Sequence, residues 1–69
     1  MNVGDAVIIE PIAFEYVGIE CDVYSSGIII DIQSAREYFN LDTDEKLCEV
    51  LLPDGTMEFF YEIDLKVLN

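Results

Sequence analysis

Residues able to do chemistry are few in kind. The 69-residue chain has no histidine, two cysteines (Cys21 and Cys48), and fifteen carboxylates against three cations, Arg36, Lys46 and Lys66. Without an imidazole, an activated serine or cysteine constellation, or a glycine-rich phosphate loop, the usual nucleophile and base pairings are missing. Two carboxylates are enough to hydrolyse a glycoside, but among fifteen on so short a chain some are neighbours by chance, and solvated surface charge accounts for them. The chain therefore reads as a non-enzyme with no cofactor. Asn40-x-Asp42-x-Asp44 has the alternating oxygens that open a calcium loop. Glu45 stands where that loop needs glycine and Leu51 where it needs a bidentate glutamate, which excludes an EF-hand. Two cysteines are too few for a disulfide framework and, without histidine, cannot complete a zinc site alone, so they read as reduced, semi-buried thiols.

Composition narrows the classes further. Apolar residues make up 52% of the chain, while the formal net charge is −12. Disordered chains combine high charge with low hydrophobicity, so this one is expected to fold, as a single domain over residues 1–69 with a small core. Mutual repulsion among the carboxylates is expected to make it salt-sensitive and to keep it off membranes and nucleic-acid phosphates. Apolar runs are only a few residues long and no basic segment precedes one at the start, so neither a membrane span nor a signal peptide is expected. The setting that follows is cytoplasmic.

The elements that would position these groups read mainly as strands, from period-two alternation and β-branched and aromatic residues. Val3 to Glu10 reads as a strand stopped by Pro11, which lacks a ladder N–H. Ile12, Phe14 and Tyr16 continue the alternation, the phase slips at Val17-Gly18, and it resumes at Ile19, Cys21 and Val23, suggesting a bulge or tight bend. Tyr24-Ser25-Ser26-Gly27 has turn composition and leads into the strand Gly27 to Ile32. Ser34 and Glu37 have capping-box spacing for one helical turn, Ala35 to Phe39. Strands Lys46 to Leu52 and Thr56 to Tyr61 flank the hairpin turn Pro53-Asp54-Gly55. Glu62 to Leu65 reads as a short helical turn and Lys66 to Leu68 as a last strand.

The hairpin admits two registers. A four-residue loop pairs Leu52 with Met57, Val50 with Phe59 and Cys48 with Tyr61 on one apolar face. A three-residue loop with a glycine bulge sets Glu49 beside Phe59 and Glu58 beside Val50. Burying either carboxylate unpartnered would cost several kcal/mol, which favours the first register. There Leu47, Leu51 and Phe60 point outward, together with Ile29. Such a strip is covered either by self-association or a partner, or by the Ala35 to Phe39 turn. Tyr16, Tyr24, Tyr38 and Phe39 read as loop aromatics that either anchor a partner or close the ends of the core.

Gly4-Asp5-Ala6-Val7, Gly27-Ile28-Ile29-Ile30, Val50-Leu51-Leu52-Pro53-Asp54-Gly55 and the segment Tyr61 to Leu68, set in this order of elements, resemble the SH3-like small barrel. They are also similar to short, mostly uncharacterised phage-type proteins with a Gly-Asp-x-Val opening and an Asp-Gly hairpin. The resemblance implies an all-β fold, a five-stranded SH3-like or Sm-like barrel with one short helical turn, and the host cytoplasm if the chain is phage-encoded. KOW-type modules resemble it in the Gly-Asp-x-Val opening, yet bind nucleic acid through basic loops that this chain lacks. Sm-like proteins resemble it as barrels that form rings through edge strands, sometimes around RNA, but their Asp-x-x-Met-Asn RNA-contact pattern is missing. Peptide-binding SH3 domains place aromatics in the first long loop, where Phe14, Tyr16 and Tyr24 fall, but no tryptophan completes their groove. The expected function is a non-catalytic assembly or protein–protein interaction module, a homo-oligomer or bound to a protein partner. Its candidate surface is Leu47, Leu51, Phe60, Ile29, Tyr16 and Tyr24. The alternatives are a Sm-like or KOW-like RNA-binding module and an acidic inhibitor that imitates nucleic acid.

Overall fold

Ten residues, Ser25–Ser34, form the strand around which the others are arranged. The structure is a computed structural model and describes residues 1–19, 25–40 and 42–68. In chain order it contains β1 (Ala6–Ile9), α1 (Pro11–Tyr16), β2 (Ser25–Ser34), α2 (Ala35–Phe39), β3 (Lys46–Leu51), β4 (Met57–Tyr61), a 3-10 turn (Glu62–Asp64) and β5 (Leu65–Val67). The protein is predominantly β: all five strands pair antiparallel in one sheet of order β4-β3-β2-β1-β5. Among the described residues, β4 and β5 are its two edges and the sheet is not closed into a barrel. The first half of β2 pairs with β1 and its second half with β3, and a bulge between Ile29 and Asp31 shifts the register. No helix among the described residues is long and apolar enough to cross a membrane.

The core lies between one face of the sheet and α1. Val7, Ile9, Ile29, Cys48, Val50, Phe60 and Leu65 come from the strands, and Ala13 and Phe14 from the helix. Phe14 meets Phe60 edge-on, with centroids 5.3 Å apart. The alternation through Ile12, Phe14 and Tyr16 predicted extended chain, and here the structure differs. Pro11 opens α1, where its missing N–H is no loss. Gly18, at φ +77°, closes it: the Gly18 N–H donates to the Glu15 carbonyl and the Ile19 N–H to the Phe14 carbonyl, the paired bonds of a Schellman stop. Ala13, Phe14 and Val17 then share one inward side, at i, i+1 and i+4. The resumed alternation at Cys21 and Val23, and the loop position of Tyr24, lie outside the described residues.

Two further expectations change. β2 begins at Ser25, because Ser25 and Ser26 pair with Ile9 and Ile8 instead of forming a turn. α2 forms where expected, but Ser34 makes no side-chain cap; the Ala35 N–H donates to the Glu45 carbonyl instead.

The β3–β4 hairpin takes the three-residue loop. The Gly55 N–H donates to Leu52, the Leu52 N–H donates to Thr56, and Gly55 sits at φ +89°. The pairs are Leu51 with Met57, Val50 with Glu58, Glu49 with Phe59 and Cys48 with Phe60. The preference for the four-residue loop assumed that a carboxylate on the core side would be buried. β4 is an edge strand, so Glu58 stays half-exposed and keeps its hydration.

Candidate functional site

The register fixes which apolar residues face outward. Ile29, Leu47 and Phe60, expected on the outer strip, are buried instead. Ile29 and Phe60 belong to the core between the sheet and α1. Leu47 does point away from that core, paired with Gln33 and Tyr61, but it lines a cleft with Tyr38 and Phe39 of α2 and is only 2% exposed. Of the outward strip, Leu51 alone keeps the expected exposure. Tyr16 lies at the end of α1, and Tyr24 falls outside the described residues.

The exposed apolar surface shares Leu51 with the expected strip and otherwise runs through Ile28, Met57 and Leu68. Ala6 pairs with Ile28, Ile28 with Leu51, and Leu51 with Met57; the Leu68 N–H donates to the Ala6 carbonyl. Each strand, or the residue that extends it, therefore contributes one apolar side chain to a row that crosses the whole sheet. Ile28 is 47% exposed, Leu51 38%, Met57 56% and Leu68 43%. Adjacent strands are about 4.8 Å apart, so the row spans roughly 19 Å. Ala6, Ile28, Leu51 and Leu68 also line one open groove of about 480 Å³, with Leu52 and Pro53 at its end. A single exposed leucine is ordinary, whereas these residues form one contiguous apolar band on the outer face.

Charge borders this row on one side. One step along the outer face, Asp31 pairs with Glu49 across β2 and β3, both half-exposed. The Asp31 carboxylate accepts a 2.8 Å bond from the Gln33 amide. On the other side, Ile8 pairs with Lys66 of β5. Arg36 is turned elsewhere: its guanidinium lies 3.1 Å from Asp44 and 3.5 Å from Asp42, and it donates to the Thr43 carbonyl. Two of the carboxylates that resembled the start of a calcium loop, Asp42 and Asp44, thus hold a guanidinium, and Asn40 closes α2 in the left-handed conformation.

A second concavity, of about 430 Å³, wraps around the edge strand β4. Ala13 and Val17 form one wall, Tyr38 and Phe39 the other, and Glu58 and Asp64 bring carboxylates to it. Tyr38 packs on Phe39 at 4.9 Å and on Phe59 at 5.1 Å. Phe59 pairs with Glu49, so the Tyr38 contact lies level with the Asp31–Glu49 pair, while Ile28, Leu51 and Met57 one step away stay exposed. Burial, with the Glu10 carboxylate adding to it, pushes the Asp64 carboxyl up from its ordinary value. Cys48 is a buried free thiol, and among the described residues no three metal-ligating side chains converge.

The row was hard to see in the sequence because Ile28-Ile29-Ile30 carries no alternation, and only the pairing shows which isoleucine faces out. Compared with known proteins, the chain matches no family model, no curated protein and no solved structure.

Proposed function

We propose that the protein is a non-catalytic interaction or assembly module that docks through the outer face of its sheet. The observation that carries this reading is the register-aligned row Ala6, Ile28, Leu51, Met57 and Leu68. Four of its members expose over a third of their large apolar side chains to water, and covering them would recover about 25 cal/mol for each Å² removed from solvent. An SH3-like small-barrel relationship is supported by the strand order, by the long bulged β2 shared between neighbours, and by the 3-10 turn before β5. RNA binding of the Sm or KOW kind is the weaker reading: the chain has three cations, and Arg36 is already held by Asp42 and Asp44.

The test uses Nile red, a neutral apolar dye. Its fluorescence should rise on the folded protein and lose most of that rise in the double variant Ile28→Ser, Leu51→Ser, with Tyr38→Ser, Phe39→Ser retaining it. The reverse pattern would move the docking surface to the cleft around β4.

A further inference from the structure

Resting on that reading, we infer that the occupant of the row is a cationic partner protein, one that presents apolar side chains flanked by lysine or arginine. A second copy fits poorly, because it would bring another −12 of charge against the same acidic body. Beside the row, Asp31 and Glu49 stand opposite each other across neighbouring strands, an arrangement that destabilises a sheet. A lysine or arginine laid between them would relieve that repulsion while its neighbours cover Ile28 and Leu51. Lys66, paired with Ile8, sits on β5 at the far edge from β3. Apolar contact and a bordering negative charge therefore select the same ligand chemistry, an apolar stripe edged with positive charge. Exposed charge pairs are individually weak, so the two carboxylates together would add about tenfold in affinity, about 1.4 kcal/mol.

The experiment titrates the full chain, in moderate salt, with three fluorescein-labelled synthetic peptides of equal length: alternating Lys and Leu, alternating Lys and Ser, and alternating Glu and Leu. The Lys/Leu peptide should bind at least about tenfold more tightly than either of the others. Ile28→Ser with Leu51→Ser should reduce it to the Lys/Ser level. Asp31→Asn with Glu49→Gln should weaken it by about tenfold, whereas Glu15→Gln with Glu37→Gln, the same change of charge on exposed positions of α1 and α2, should leave it within about twofold. Equal binding of Lys/Leu and Lys/Ser, or equal loss from the two neutralised pairs, would overturn the inference in favour of general attraction to an acidic body. Sedimentation showing a dimer that disappears in Ile28→Ser, Leu51→Ser would keep the row as the docking face but give it to a second copy. Absence of both peptide binding and self-association would defeat the inference and the proposed function together.

Discussion

Phe14 and Phe60 stand edge to face, with ring centroids 5.3 Å apart and planes inclined by 71°, and this contact seats α1 on the sheet. Both rings are buried. Truncating such a ring costs about 3–5 kcal/mol, and an edge-to-face pair adds about 0.5–1.5 kcal/mol beyond its area. Phe14→Ala and Phe60→Ala are each expected to lower the urea midpoint sharply, and a double-mutant cycle should return a coupling of about 1 kcal/mol. Additive losses would mean that α1 is held by something else.

Gly27 approaches its neighbours too closely for a side chain. A β-carbon there would press into the Val50 side chain and lie 2.9 Å from the Leu51 carbonyl oxygen. Gly27→Ala is expected to cost about 1–3 kcal/mol through overpacking, and Val50→Ala in the same chain should recover only part of it, since the carbonyl is backbone. Equilibrium urea unfolding measures both.

The facing carboxylates Asp31 and Glu49 oppose folding. Glu49→Gln should stabilise the protein by about 0.2–1 kcal/mol, the size of a cross-strand pair. Wild-type stability should also rise with added salt more steeply than that of the variant. Thermal melts at low and moderate salt report both effects.

Cys48 is pushed up from an ordinary 9.0 to about 11, first by burial and then by the Glu62 carboxylate, with the N-terminal ammonium opposing. Above pH 9 the unfolded thiol loses its proton while the folded one keeps it. The unfolded state then binds fewer protons, so this thiol's contribution to stability is intact below about pH 9 and falls as pH rises towards about 11. Stability measured across that window should decline more in the wild type than in Cys48→Ala. Since the thiolate is the reactive form, a Cys21→Ser variant should react with Ellman's reagent at pH 8 only after denaturant is added.

Period-two patterning marks β1, β3 and β4, because strands of a half-buried sheet alternate, the run of β-branched isoleucines marks β2, and Ala35 to Phe39 is legible from its flanking residues. α1 is not. Pro11 and Gly18, read as a strand stop and a bulge, also form the Pro-first, Gly-last bracket of a short helix, and in six residues the alternation of Ile12, Phe14 and Tyr16 hides the i, i+4 pair Ala13 and Val17. The hairpin register is not legible in the sequence because nothing in it marks β4 as an edge strand, where Glu58 can face the core side and stay half-exposed. The outer row was illegible for a related reason: in Ile28-Ile29-Ile30, followed by a bulge before Asp31, no local signal sets which side chain faces out. Leu51 is legible because it alternates with Cys48 and Val50 along β3 and faces outward in either hairpin register.

The proposed docking face is tested most directly by side-chain methyl NMR during titration with the Lys/Leu peptide. Shifts concentrated at Ile28, Leu51, Met57 and Leu68, with Ala13 and Val17 unmoved, are the predicted result. Shifts at Ala13 and Val17 with the row unmoved would contradict the account and place binding in the cleft around β4.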